Sequence, residues 1–301
     1  MIKRPNCRFF VSPLMQAILV LSLLTLTGCS STYFMDLSPS GPVSRSIDDL
    51  FWLTIALMSL VIIPVFVLTF WIVNRYRASK QHPEISYGEW HEPMWLEWLI
   101  WLFPAFIVVC LSVVTWVSTH RLDPYRPLTS AAKPVEIQAV ALDWKWLFIY
   151  PEQKIASVNQ VAFPVNRPIN FRITSGTVMN SFFIPSLAGQ IYAMAGMETQ
   201  MHLLADKTGS YFGQNSQYSG QGFPFQYFQA IAVTDTEFKQ WLAKAKHSGE
   251  TLDMKQYQEL AKPSIRDKVE YFGSAESGLF GRIIDQFSAH GNENTLAIEE
   301  N

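Results

Sequence analysis

Apolar residues are distributed in three different ways along this 301-residue chain, and each way predicts a different kind of element. In the N-terminal part they form long unbroken stretches. Two of these, about Ile47 to Val73 and Met94 to Ser118, reach the roughly 20 residues that a helix needs to cross a bilayer. Pro64 and Pro104 lie inside them, which membrane helices tolerate because neighbouring groups re-satisfy the freed carbonyl. The linker NRYRASKQHPEISYGEWHE places Arg75, Arg77 and Lys80 directly after the first stretch, and that excess of cations marks its side as cytoplasmic. The expectation is a two-helix transmembrane hairpin, with everything after His120 outside, in the periplasm if the cell has two membranes.

From Lys133 to Thr234 the long stretches give way to short segments such as PVEIQAVAL, WKWLFIYP and FQAIAVTD, rich in Val, Ile, Phe and Tyr and punctuated by Pro and Gly. Period-two alternation of this kind predicts an all-β sandwich or barrel of about 100 residues. A third pattern follows. Thr234 and Glu237 have capping-box spacing, and Phe238, Trp241, Leu242 and Ala245 then recur at helical intervals. A second amphipathic helix is expected from Asp253 to before Pro263, and a third on Leu279, Phe280, Ile283, Ile284 and Phe287. Their apolar faces need cover, from the sandwich or from a partner membrane subunit. HGNENTLAIEEN at the C-terminus reads as a mobile tail.

The beginning of the chain carries a separate signal. Lys3, Arg4 and Arg8 precede an apolar run from Val11 to Leu24, and LTGC follows at Leu26 to Cys29. That is the arrangement of a secretory signal, and Thr27 and Gly28 ahead of Cys29 match a bacterial lipoprotein cleavage box. Cleavage after Gly28 and lipid on Cys29, palmitate included, are expected. A signal anchor with an unmodified cysteine is the alternative, and the run is short for a span. The layout is then a signal peptide over 1–28, an N-terminal segment with the two spans over 29–119, the β domain over 120–235 and the helical extension over 236–301.

Composition agrees with a mixed membrane and globular chain: 49% of residues are hydrophobic and 16% charged. Loss of the signal removes three cations and takes the formal net charge from −2 to −5, and neither value points to nucleic acid as a partner. Of the three cysteines, Cys7 leaves with the signal, Cys29 takes the lipid and Cys110 sits in the second span. The external domain has none, hence neither a disulfide nor a thiolate for copper.

YFGQNSQYSGQGFPFQYFQA, Tyr211 to Ala230, resembles the loop that holds the dinuclear copper centre in subunit II of haem-copper oxidases, with its ligands replaced. The pattern Cys-x-Glu-x-Cys-x-x-x-His-x-x-Met falls on Asn215, Gln217, Ser219, Phe223 and Gln226, and an upstream His falls on Asn180 in VMNSFFIPSLAGQ. Amides, a hydroxyl and a phenyl ring cannot replace thiolate and imidazole donors, so no metal is expected here. The resemblance implies a cupredoxin-like Greek-key sandwich that stands without copper, with Phe223, Pro224 and Phe225 as apolar filling for the space left behind. His202 is the one histidine of the sandwich segment, and a lone His on a strand is an ordinary residue rather than a ligand. Met194, Met197 and Met201 have soft donors but suit apolar packing better. DWKWLFIYPEQ, Asp143 to Gln153, is similar to the aromatic segment that receives electrons from cytochrome c in the copper-bearing oxidases. Without copper, Trp144 and Trp146 are expected to pack on a partner subunit or at the lipid interface.

The cleavage box, the two spans, the altered loop and the aromatic C-terminal extension together closely resemble the subunit II family of the cytochrome bo-type ubiquinol oxidases. That resemblance implies a proton-pumping terminal oxidase of the bacterial inner membrane that oxidises ubiquinol and reduces oxygen to water. It implies haems and copper in subunit I, no cofactor and no catalytic residue in this chain, subunit I and further membrane subunits as partners, and no cytochrome c. Donor chemistry excludes a copper-bearing subunit. Menaquinol as the substrate, and a membrane-tethered cupredoxin-like binding lipoprotein, remain the alternatives.

One ionisable group falls at a membrane edge. Glu97 lies in HEPMWLEWLIWLFP at the cytoplasmic end of the second span, where a carboxyl among apolar neighbours is a functional candidate. In the resembled family a Glu at this place lies at the mouth of a proton-uptake channel; the alternative is a carboxylate hydrated among headgroups. Glu97→Ala is expected to lower turnover and proton pumping together, and unchanged oxygen uptake with unchanged pumping in vesicles would refute the uptake role.

Overall fold

The computed structural model describes residues 39–75, 93–128 and 132–287. The signal segment, Cys29, the linker residues Arg77 and Lys80, and the tail 290–301 lie outside the described residues. Both long apolar stretches are single helices, α1 (Pro42–Arg75) and α2 (Met94–Arg121), with Pro64 and Pro104 inside them. At 1.5 Å per residue they are about 51 Å and about 42 Å long, more than the roughly 30 Å of bilayer hydrocarbon. Large apolar side chains such as Trp52, Phe70, Trp101 and Trp116 point outward along them. An exposed apolar surface of this extent needs lipid or a partner around it.

The start of α1 is stitched to the β domain. Ser40 N–H donates to the Ser186 carbonyl at 2.9 Å, Asp206 N–H donates to the Ser40 carbonyl at 2.9 Å, and Arg45 pairs with Asp206. Gly41 is required there, because a Cβ would collide with the Leu204 carbonyl oxygen. Beyond α2, the Pro124 carbonyl accepts from His202 N–H at 3.2 Å.

The β domain is built from β1 (Val135–Leu142), β2 (Lys145–Tyr150), β3 (Ile155–Val158), β4 (Gln160–Pro164), β5 (Ile169–Ser175), β6 (Asn180–Phe183), β7 (Gln190–Ala193), β8 (Thr199–Leu203), β9 (Gly209–Asn215) and β10 (Tyr227–Val233). The short β11 (Thr251–Leu252), β12 (Glu270–Phe272) and β13 (Ser274–Ala275) come from the C-terminal extension. One sheet has the order β12-β3-β2-β1-β5-β8, and a second, β4-β10-β9-β6-β7, faces it. Parallel pairing of β1 with β5 and of β4 with β10 among antiparallel neighbours requires strands to cross between the sheets, as in a Greek key.

Alternation along β1 and β2 divides their side chains between two cores. Ile137, Ala139, Trp146, Phe148 and Tyr150 enter the space between the sheets, whereas Val140, Leu142, Leu147 and Ile149 face the other way. That second face is covered by the extension: Leu252, Tyr257, Phe272, Leu279, Phe280 and Ile283 pack on it. A strand buried on both faces reads as a continuous apolar run, which is why WLFIY shows no polar alternation. Burial pushes the Tyr257 phenol up to about 12. The Tyr150 hydroxyl donates to the Ala162 carbonyl at 2.8 Å and accepts from Ala162 N–H at 2.9 Å, and its burial raises it well above the ordinary phenol value.

Trp146 therefore belongs to neither a partner contact nor the lipid interface. It is fully buried, edge-on to Phe182 at 5.2 Å and Phe228 at 5.6 Å, and those two rings stack on each other at 5.1 Å. Its position in β2, two residues before Phe148, sets it on the inter-sheet face.

The extension folds as the periodicity predicts. α3 (Asp235–Lys246) opens with the Thr234–Glu237 capping box and buries Phe238 and Ala245, with Trp241 against Tyr150 at 5.4 Å. α4 (Met254–Leu260) is capped by Asp253, whose Oδ1 accepts from Gln256 N–H at 2.7 Å, and residues 279–287 form α5. The sandwich provides the cover that their apolar faces need.

Arg172 on β5 fastens the outer face of the sheet to α5. It donates to Glu198 Oε1 at 2.7 Å and Oε2 at 2.6 Å and to Glu136 at 3.2 Å, and its guanidinium lies 5.5 Å from the Phe280 ring centre. The bond from Arg172 holds the Glu198 carboxyl below its ordinary value of 4.5. A depressed carboxyl stabilises the fold above its unfolded pKa and loses that contribution as pH falls through the folded one. Below about pH 4.5 the melting temperature of the native chain should therefore fall more steeply with acid than that of Glu198→Gln. Parallel melting curves from pH 6 to 3, on about equal protein, would refute the linkage.

Candidate functional site: a hydrogen-bonded amide cluster

Four of the six positions aligned with copper ligands come together at one end of the sandwich. Asn180 opens β6, Asn215 closes β9, Ser219 lies in the following loop and Gln226 precedes β10. Asn215 is the hub. Its Nδ2 donates to Asn180 Oδ1 at 2.7 Å and Gln226 Oε1 at 2.8 Å, with Ser219 Oγ at 3.2 Å. Its Oδ1 accepts from Ser181 N–H at 2.8 Å and Gln217 N–H at 2.9 Å. Ser219 Oγ donates to Gln226 Oε1 at 2.7 Å, and Gln226 Nε2 donates to the Leu142 carbonyl at 3.1 Å. Asn180 Nδ2 donates to the Val178 carbonyl at 2.8 Å. Asn180, Asn215 and Gln226 are no more than 4% exposed, so each bond replaces one that water cannot supply.

Gln217 joins the cluster through its backbone alone, and Phe223 stays outside it. Phe223, Pro224 and Phe225 form a 3-10 turn in which none is buried: Phe223 sits 5.7 Å from Tyr218, and the Arg266 guanidinium lies 4.3 Å from the Phe225 ring centre. The expected apolar filling is therefore not what closes this space. The amide side chains meet across it at hydrogen-bond distance and leave no room for a ring.

Trp144 covers the loop. It turns between β1 and β2 with φ of 65°, a left-handed conformation that costs a non-glycine residue about 1–3 kcal/mol. This throws the indole over Gly220 and Gly222, and Nε1–H donates to the Ser219 carbonyl at 3.0 Å. A Cβ on Gly222 would overlap the indole, so the close approach needs glycine there. Trp144 is thus anchored on its own domain, half-buried, with the rest of the indole at the surface. The reason is local: the left-handed turn directs it back across the loop.

A strap from the extension braces the same region from outside. The Lys145 ammonium, 4% exposed, lies 3.2 Å from the Asp267 carboxylate and donates to the Lys262 carbonyl at 3.0 Å and to Ser264 Oγ. Asn159 takes Trp146 N–H on Oδ1 at 2.9 Å and donates from Nδ2 to the Asp267 carbonyl at 3.1 Å. Lys145, Asp267 and Arg266 were not among the residues the sequence pattern singled out. The signal for Lys145 was present, as a lone cation inside the apolar WKWLFIY.

The other candidates stay apart. Glu97 is exposed in the first turn of α2 and is not part of the cluster's hydrogen-bond network. His202, half-buried on β8, is held below the ordinary imidazole value by burial. Met201 is in the inter-sheet core, Met194 half-buried and Met197 exposed. Among the described residues no group of three or more His, Cys, Asp or Glu could hold a metal, and the clustered amides and hydroxyl do not fit a copper centre.

Two family models match the chain: "Cytochrome C oxidase subunit II, periplasmic domain" over residues 150–233 and "COX Aromatic Rich Motif" over residues 246–291. The sandwich is thus cupredoxin-like, and the second match spans the strap, α4 and α5. The chain is 47% identical to the cytochrome bo(3) ubiquinol oxidase subunit 2 of Pseudomonas aeruginosa, over 92% of this chain and 82% of that one. It is 46% identical to the protein of the same name from Pseudomonas putida, over 89% and 84%. It is also 46% identical to the ubiquinol oxidase subunit 2 of Acetobacter aceti, over 89% and 86%.

Removing the hub strands several buried groups at once. Asn215→Ala should destabilise the external domain by about 2–4 kcal/mol, since each unsatisfied buried group costs about 1–3 kcal/mol. Tyr218→Ala, at an exposed side chain, should stay within about 0.5 kcal/mol. Urea titration of the purified protein measures both, and equal midpoints would show that the cluster carries no stability.

Proposed function

The chain belongs to the subunit 2 family of the cytochrome bo(3)-type ubiquinol oxidases, and from that premise we propose that it is the non-redox second subunit of a proton-pumping terminal oxidase. The complex is an oxidoreductase of the bacterial inner membrane, taking electrons from ubiquinol and reducing oxygen to water. The amide cluster carries the reading. A side-chain set that spends its donors and acceptors on itself offers no soft, deprotonated ligand, which supports a chain without a redox centre of its own. Haems and copper then belong to subunit I.

The chemistry of the donor explains why such a subunit works. Cytochrome c is soluble and delivers electrons from outside, which calls for an external relay. Ubiquinol is dissolved in the bilayer and reaches a membrane subunit directly. The relay site is free to become a structural element, and the α1–α2 hairpin becomes the attachment to subunit I and its neighbours. Glu97, at the cytoplasmic start of α2, is assigned to proton uptake, and lipid on Cys29 to a supplementary anchor beside two spans that already hold the chain. The three relatives compared above are named for ubiquinol, which favours it over menaquinol; a free-standing binding lipoprotein would leave two long exposed helices without a role.

Purification through a tag on this chain, in mild detergent, tests the assignment. Haem and copper should copurify, oxygen uptake should proceed with ubiquinol and not with reduced cytochrome c, and metal analysis after dissociation should find copper with the partner alone. Recovery of the chain without haem, or of copper on the chain itself, would overturn it.

A further inference from the structure

Where the helices meet the sandwich, a cleft of about 290 Å3 opens between the start of α1 and the segment after α2. Arg121, Asp123, Arg126 and His202 line it. Beside it an apolar groove of about 410 Å3 runs between the helices, lined by Leu50, Val113, Val114 and Val117. Ser46, Arg121 and Leu122 line both, so polar cleft and apolar groove adjoin. A depression with a charged end and an apolar end suits an amphiphile.

Its height in the membrane is set by helix length. With α1 about 51 Å long and the hydrocarbon about 30 Å thick, the opening turns of α1, where Ser46 and Asp49 lie, reach the layer of lipid headgroups. The charges are unevenly used. The Arg121 and Arg126 guanidiniums have neither a hydrogen bond nor an ion pair among the described residues, whereas nearby Arg45 is matched by Asp206. Burial keeps His202 below its ordinary value, which leaves the cationic charge of the cleft to the two arginines. Asp49 lines the groove, and Asp123, one oxygen of which accepts Tyr125 N–H at 3.0 Å, lines the cleft. These carboxylates suit a headgroup that carries an ammonium beside its phosphate.

We propose that this depression holds a phospholipid of the outer leaflet, its phosphate on Arg121 and Arg126, its headgroup amine towards Asp123 and one acyl chain between α1 and α2. Guanidinium pairs match phosphate through parallel charge-assisted hydrogen bonds, and the valines of α2 offer the chain an apolar wall. The lipid would fill the junction between the membrane hairpin and the external domain, a site apart from the amide cluster; only the assembly control of its test rests on the oxidase reading.

Site-directed photo-crosslinking on the intact complex tests this. Val117 is replaced by p-benzoylphenylalanine in the full chain, native membranes are irradiated, and the peptide containing position 117 is analysed by mass spectrometry. The expected result is an adduct with the mass of an amine-headgroup phospholipid, reduced about tenfold or more when Arg121→Gln and Arg126→Gln are combined. Inorganic phosphate has no acyl chain and gives no such adduct, which separates a lipid from a free ion. Retained ubiquinol oxidation would show that the double variant is assembled. No phospholipid adduct, an adduct undiminished in the double variant, a crosslink to a partner subunit, or one to the acyl group of this chain's own Cys29 would each overturn the proposal.

Discussion

Every side chain from Lys145 to Tyr150 is buried, so β2 has to satisfy two cores at once. Trp146, Phe148 and Tyr150 point between the sheets, and Leu147 and Ile149 point beneath the C-terminal extension. The residues at its entrance do the rest. Trp144 is turned back over the loop after β9, and Lys145 holds the strap. One strand thereby ties the sandwich, the extension and the amide cluster together, and a shift of its register by one residue would exchange the two faces and break all three.

The amide cluster shows how hydrogen bonds alone can join the strands at one end of the sandwich. Asn215 ties β6, the loop and the start of β10 through hydrogen bonds to Asn180, Ser219 and Gln226. Such a network is worth having only when it is complete, because a buried amide with one bond missing costs more than an apolar residue in its place. Completeness here depends on backbone groups as much as side chains: Ser181 N–H, Gln217 N–H and the carbonyls of Leu142 and Val178 each close one open valence.

The external domain and the membrane hairpin answer to different solvents. In the sandwich, aromatic rings are buried against one another; along α1 and α2 rings of the same type point outward. The stitches around Ser40 and Pro124 hold the two parts in register at their shared boundary.

Local pattern alone determined the type of almost every element in this protein. Unbroken apolar stretches meant membrane helices, alternation meant strands, and the Thr234–Glu237 capping box marked the start of α3, because each depends on neighbours within a turn or two of chain. The six ligand-aligned positions were legible too, since the types of donor stand in the sequence. Tertiary structure decided what pattern cannot encode: that Trp146 is core, that Trp144 folds back on its own loop, that amides rather than Phe223 and Phe225 close the ligand space, and that Lys145 meets Asp267. Each of these depends on groups brought together from distant parts of the chain, and the facing group, not the residue's own character, sets whether an aromatic ring or a cation ends buried or exposed.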